Sequence, residues 1–319
     1  MKNLLIVMPW YGRVPNYFKF YLDSIRNVTF DTLLVSDSDF SKIVVPDNVR
    51  LVKMTMEEFR VLASQKLCVE VALDKPYKVC DFRPMFGKIF EDYLGGYKYW
   101  GYGDADLIYG QKLDQYVERI VSEDYDVASM HCQYLAAPFA MLKNNEKCKA
   151  LYKASNVWYE VATTPVHYQF EECGKNVDWP KLEFGKVTIE EYGKTFDSFS
   201  NVLHREEQKG MIRYFHEDLI TEHISKYDVV YKKGKRVFLN ENEIYIFHNL
   251  FVKGRRYFRV PGDEWKNFEN YMICPTGYYK PNQFCWRGII GRFRIFCAVL
   301  GSLRVNGFSR IVSWFKYGY

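Results

Sequence analysis

Tyr97-Lys-Tyr-Trp-Gly-Tyr-Gly-Asp-Ala-Asp-Leu-Ile-Tyr-Gly110 is an aromatic, strand-like stretch that ends in two carboxylates, Asp104 and Asp106, one small residue apart. A strand sends alternate side chains to opposite faces, but a strand that breaks into a turn at its end can aim both acids at one point. Two hard carboxylates converging on one point suit a divalent cation such as Mg2+ or Mn2+, which keeps open positions for water and bridges to substrate phosphates. A diphosphate is the natural substrate for such a site. The apolar and aromatic flanks place these acids at the edge of a core, not in a solvated loop.

Working outward, Leu4–Met8, Thr32–Ser36 and Val49–Lys53 read as short buried strands, and Tyr17–Arg26 and Met56–Leu67 as helices, the second opened by a Thr55/Glu58 capping box. This alternation predicts βαβ units and a mainly parallel α/β sheet. Phe82–Leu94 is expected to form a third helix that stops at Gly95-Gly96 and feeds the strand before Asp104, so that the acids lie at the carboxyl end of an inner strand, where open α/β sheets place ligands. Beyond Gly110, Leu113–Ser122 and Leu151–Ala162 read as helices and Val127–Met130 and Phe139–Leu142 as strands; Glu171–Glu207 reads as polar and irregular. The expected organisation is one catalytic domain over 1–261 and an appended region over 262–319.

With 319 residues, 48% hydrophobic and 26% charged, the chain has the composition of a globular protein and can bury a sizeable core. Its eight cysteines form no C-x-x-C pair, which favours reduced core thiols over zinc or disulfides and a cytoplasmic setting. Met1-Lys-Asn-Leu-Leu-Ile-Val-Met-Pro9 reads as a first strand and not a signal peptide. No apolar run reaches the roughly 20 residues a bilayer crossing needs. The net charge of +5 is uneven: residues 282–319 carry Arg287, Arg292, Arg294, Arg304, Arg310 and Lys316 without one acid, among nine large aromatic residues. That pattern predicts an amphipathic tail on an anionic membrane surface, at the inner face of the cell membrane. The alternative is a helix packed on the protein's own core. Nucleic acid is disfavoured as a partner, because the rest of the chain lacks a basic face.

Upstream of the acids, Lys78, Asp81 and Arg83 fall in a short span entering a helix, where lysine or arginine can neutralise a diphosphate and Asp81 can accept bonds from sugar hydroxyls. A catalytic base has two candidate sources, Phe170-Glu171-Glu172 and His216-Glu217-Asp218; in the helical pattern read for Glu217–Ile224, Asp218 and Glu222 share one face.

The order of these parts is similar to that of nucleotide-sugar glycosyltransferases of the GT-A fold: a first strand ending near Tyr11-Gly12, a second ending at Asp37, the Lys78-x-x-Asp81-x-Arg83 segment, and an aromatic strand ending in D-x-D. More closely, Asp74–Gly110 resembles a bacterial family of polysaccharide and capsule biosynthesis glycosyltransferases; Asp-Ala-Asp is a variant of its usual acid triplet, and weaker likeness extends from Met1 to about Lys253. The resemblance implies a single Rossmann-type GT-A domain, a nucleotide-sugar donor such as a UDP-sugar, and a saccharide or lipid-linked oligosaccharide acceptor. It implies donor contacts from Tyr11, Asp37, Lys78, Asp81, Arg83 and Asp104. In Ile244-Tyr-Ile-Phe-His-Asn-Leu-Phe-Val-Lys-Gly-Arg-Arg256 it implies that His248 completes a metal site with Asp104 and Asp106, and that Lys253, or Arg255 or Arg256 in its place, meets the donor phosphates. Imidazole tilts the expected ion towards Mn2+ over Mg2+. The rival functions are a nucleotidyltransferase, which should show a Gly-rich N-terminal loop with a lysine that Met8–Pro15 lacks, and a non-catalytic membrane scaffold.

Overall fold

The computed structural model describes residues 2–175, 177–183, 185–225, 228–253, 258–262 and 269–280. The described strands run β1 (Lys2–Trp10), β2 (Asp31–Ser36), β3 (Val49–Lys53), β4 (Tyr97–Gly103), β5 (Leu107–Tyr109), β6 (Val127–Ser129), β7 (Phe139–Lys143), β8 (Tyr214–His216), β9 (Ile220–Thr221), β10 (Val230–Lys233), β11 (Arg236–Leu239), β12 (Asn242–Glu243), β13 (Ile246–His248), β14 (Asn270–Cys274) and β15 (Gly277–Tyr279). They belong to two compact units. The first holds 1–14, 29–105 and 114–219, the second 15–28, 106–113 and 220–319.

The first unit is built on a seven-stranded sheet of order β3-β2-β1-β4-β7-β6-β8. Only β7 runs antiparallel to its neighbours; the other pairings are parallel. The mainly parallel sheet expected from the βαβ alternation is therefore present. Helix α1 (Phe18–Ile25) belongs to the second unit, and α2 (Met56–Leu67) to the first. In α2 the Thr55 hydroxyl accepts from the Glu58 amide and the Glu58 carboxylate accepts from the Thr55 amide, as the capping box requires. Phe59 of α2 packs with Phe82, Phe86 and Phe90 on Leu5, Val7, Leu33 and Val35 of the sheet.

The helix expected over Phe82–Leu94 is broken. Pro76–Met85 forms 3-10 turns, α3 (Phe86–Ile89) adds one α-turn, and Glu91–Tyr93 is again 3-10. Pro84 supplies no amide for an α-helical bond. Gly87 lies so close to Trp100 of β4 that a Cβ there would be 2.3 Å from the indole. Gly96, at φ +89°, makes the turn into β4. The helix expected over Leu151–Ala162 splits into a 3-10 turn at Leu151–Ala154 and a helix at Trp158–Thr163. Between them Ser155 and Asn156 bond to Asp197, the Ser155 hydroxyl donating to its carbonyl at 2.6 Å. The polar stretch from Glu171 to Glu207 is less irregular than expected, with helices at Trp179–Glu183, Ile189–Gly193 and Phe199–Gln208.

The second unit carries an antiparallel sheet of order β12-β11-β10-β14-β15 and a three-stranded sheet β5-β13-β9. Its core joins Phe20, Ile108, Val230, Val237, Phe247, Tyr271, Ile273 and Tyr278, with Phe20 stacked on Tyr278 at 3.9 Å between centroids. One expectation is corrected here. Glu217–Ile224 contains strand β9 and no helix. Beyond the expected boundary at 261, β14 pairs residue for residue with β10 and β15 pairs with β14. The basic, aromatic stretch from 282 onward lies outside the described residues. No helix among the described residues is long and apolar enough to cross a membrane. The six described cysteines are free thiols.

Candidate active site

In the first unit β4 delivers Asp104 as the pairing with β7 ends. The Asp104 amide donates to the Pro138 carbonyl at 3.0 Å. Arg83 donates to the Asp104 carboxylate through Nη2 and to the Ala137 carbonyl at 3.1 Å through Nη1. Burial alone would weaken the guanidinium as a base, but the Asp104 charge outweighs it and holds Arg83 firmly protonated. On the other side of the Ala137 peptide, its amide donates to Glu172 Oε1 at 3.1 Å. Burial and the adjoining Glu171 charge push the Glu172 carboxyl up to about 8, against the pull of Arg83. Glu171 is 5% exposed, and among the described residues its Oε2 has no hydrogen-bond partner.

Lys78 and Asp81, expected as donor contacts, are bonded to the chain's own backbone. Both are buried, at 1% and 0% exposure. Lys78 Nζ donates to Asp81 at 2.8 Å and to the carbonyls of Val161 and Val166 at 2.6 and 2.7 Å, while Asp81 also accepts from the amides of Tyr168 and Phe170. Their bonds run inward, and they pin the segment that leads to Glu171 and Glu172. His167, which no sequence signal singled out, has Nε2 3.8 Å from Asp81 and 3.9 Å from Glu171, and its ring meets the exposed Tyr77 edge-on at 4.5 Å. Asp81, His167 and Glu171 could geometrically share an ion, but the Lys78 ammonium already neutralises Asp81 there.

In the second unit β13 pairs antiparallel with β5, placing His248 opposite Leu107, and the Asn249 amide extends the ladder to the Asp106 carbonyl at 3.1 Å. Asp106 thereby arrives beside the imidazole. His248 Nε2 is 3.4 Å from Asp106 Oδ2, and His248 Nδ1 is 2.6 Å from Glu222 Oε1. Lys253, closing the short helix Leu250–Lys253, donates to the same Asp106 oxygen. Burial opposes the charge on Asp106, but His248 and Lys253 together hold its carboxyl well below the usual carboxylate range. With Nδ1–H donated to Glu222, a protonated ring gives its Nε2–H to the Asp106 carboxylate, and a neutral ring offers Nε2 as a ligand atom beside that oxygen. Two electron-rich atoms at that separation call for a proton or a cation between them, and an imidazole oriented by a carboxylate on its far nitrogen is the usual arrangement around a bound metal. The donor chemistry therefore fits a divalent ion.

The other expected residues lie as follows. Tyr11 is 8% exposed at the end of β1, its phenol pushed up by burial and then by the charges of Asp37 and Glu58; Asp37, following β2, is exposed. Glu217 reaches Arg119 at 3.5 Å, and Asp218 accepts from the Cys132 amide at 2.9 Å and the Cys132 thiol at 3.0 Å. Those partners tie the second acidic pair to neighbouring loops, whereas the charges of Glu171 and Glu172 act on Arg83 through space. Arg255 and Arg256 lie outside the described residues. Glu222, the orienting partner of His248, was legible only as a carboxylate on an expected helix face.

Strand order and site chemistry define an α/β protein with acid-rich clusters where strands end. Residues 6–282 match a family of unknown function, DUF6625, and the chain belongs to that family. No curated protein matches the chain in sequence. Among solved structures, mouse xyloside xylosyltransferase 1 matches with a TM-score of 0.40 and 10% identity over 77% of this chain and 96% of that one. The glycosyltransferase GlyE of Streptococcus pneumoniae TIGR4 matches with a TM-score of 0.30 and 12% identity over 70% of this chain and 69% of that one.

Proposed function

We propose that the protein is a metal-dependent glycosyltransferase that moves a sugar from a nucleotide-diphosphate donor, a UDP-sugar, to a polysaccharide or lipid-linked oligosaccharide acceptor. The observation that carries this reading is the Glu222–His248–Asp106 array, with His248 and Asp106 buried and Lys253 on the same carboxylate. Asp106 and His248, with Asp104 two positions earlier in the motif, would hold Mn2+ or Mg2+. When bound, the ion supplies Lewis-acid neutralisation of a departing diphosphate. The chain's own cations would serve the same charge: Lys253 and Arg83, each beside a carboxylate, would meet phosphate oxygens with charge-assisted hydrogen bonds. Tyr11 and Asp37, at the carboxyl ends of β1 and β2, stand where nucleotides meet open α/β sheets. Glu171 offers the spare buried carboxylate oxygen that an acceptor hydroxyl needs. The tail from 282 is proposed, from its composition alone, to hold the enzyme on an anionic membrane surface near its acceptor.

The test is donor turnover. Full-length protein is incubated with UDP-, GDP- and ADP-sugars in Mn2+, in Mg2+ and in chelator, and release of nucleoside diphosphate is followed. One donor class should be hydrolysed or transferred only with metal. Turnover of none, or turnover indifferent to chelator, rejects the assignment.

A further inference from the structure

The adjacent carboxylates Glu171 and Glu172 differ in what they touch. Glu171 keeps a buried oxygen with no partner among the described residues, whereas Glu172 is committed to the Ala137 amide. The Ala137-Pro138 turn is in turn the common support of the D-x-D strand end: the Ala137 carbonyl takes one arm of Arg83, whose other arm holds Asp104, and the Pro138 carbonyl takes the Asp104 amide. Glu172, the Ala137 backbone, Arg83 and Asp104 are thus linked in series by hydrogen bonds on either side of Ala137, and Asp104 is tied to that turn through its backbone directly and through its side chain by way of Arg83.

We propose that Glu172 is a positioning residue that sets the Ala137-Pro138 turn, and through it the Arg83 guanidinium and Asp104, rather than a base that takes a proton in the reaction. The role needs only a hydrogen-bond acceptor at Oε1. An uncharged acceptor serves as well as a carboxylate, which suits a side chain that burial disfavours as an anion. Removing the acceptor would leave the Ala137 N–H buried and unsatisfied, free the turn, and loosen the grip on Arg83. A base in the same place would instead have to ionise and would lose its function once its charge was removed.

The proposal rests on the glycosyltransferase reading only for its kinetic arm. Glu172→Gln keeps the acceptor and removes the charge; Glu172→Ala removes both. Donor kcat/KM is expected to stay within about threefold of wild type in Glu172→Gln and to fall roughly ten- to hundredfold in Glu172→Ala. The acidic limb of the pH profile should be unchanged in Glu172→Gln. The second arm uses no substrate: the side-chain nitrogen resonances of Arg83, assigned through Arg83→Lys, should persist in wild type and Glu172→Gln and broaden in Glu172→Ala. Loss of activity in Glu172→Gln equal to that in Glu172→Ala would overturn the positioning role in favour of a base, and Arg83 signals indifferent to both substitutions would overturn it outright. Should Glu172→Ala fail to fold, retained activity and Arg83 order in Glu172→Gln still support the proposal and their loss still defeats it. A wild type with no donor turnover rejects the glycosyltransferase assignment and leaves the Arg83 arm to decide this one.

Discussion

Asp106 stays ionised at 5% exposure because an imidazole and an ammonium both face it, and each of these is itself held: His248 by Glu222, Lys253 by the helix that follows Asn249. Glu222 is therefore the residue whose loss should be felt without touching the ion directly. Glu222→Ala is expected to weaken Mn2+ affinity about 10- to 100-fold, the usual effect of removing a carboxylate behind a metal-bound histidine. Calorimetric titration with Mn2+ checks this, and unchanged affinity would detach Glu222 from the site. Glu172 makes a second prediction at this scale. A carboxyl raised from 4.5 to about 8 in the folded chain favours the protonated native state, so its contribution to stability is complete below about 4.5 and is lost as pH climbs to about 8. Wild type should lose thermal stability across that window by up to a few kcal/mol relative to Glu172→Gln, which has no proton to lose. Melting curves that run parallel for the two proteins across that window would refute the shift.

At the scale of elements, the backbones of β4 and β7 approach closely at Gly101. A Cβ on Gly101 would lie 2.2 Å from the Ala140 carbonyl oxygen, a backbone atom that cannot swing away. Gly101→Ala should cost roughly 1–3 kcal/mol or more and, because β7 begins one residue after Pro138, should also disturb Asp104. A melting temperature equal to wild type would show that the sheet gives more easily than this packing allows. The elements legible in the sequence are those whose signal is local: β1, β2 and β3 as aliphatic runs, α2 from its capping box, and the strand end at Asp104. The illegible ones are specified by partners far along the chain. β10, with Lys232 buried against Asp23 at 2.9 Å, lacks an apolar run, and β9 has two residues and exists through its pairing with β13. Among the candidate residues, Asp104, Asp106, His248 and Lys253 could be nominated from motif and resemblance. The burial of Lys78 and Asp81 could not, because a charged Lys-x-x-Asp pair reads as solvated until its backbone partners at 161, 166, 168 and 170 are known.

At the scale of the whole molecule, chain beyond 261 is part of the second unit as far as β15, so truncation should separate two outcomes. Protein ending at Lys280 keeps β14 and β15 and should fold and bind donor, yet lose salt-sensitive co-sedimentation with anionic liposomes, since each tail cation near such a surface contributes about 1 kcal/mol. Protein ending at Pro261 loses two strands and should unfold its second unit. Liposome binding that survives removal of 281–319 would end the membrane assignment. The central claim, a divalent ion that joins the Asp106–His248 cluster to a nucleotide diphosphate, is tested most directly by calorimetric titration of UDP into the full-length protein with and without Mn2+, beside Asp106→Asn. Binding that requires Mn2+ in wild type and disappears in a folded Asp106→Asn is the expected result. UDP binding of equal strength with and without Mn2+, or Mn2+-dependent binding untouched by Asp106→Asn, would contradict it.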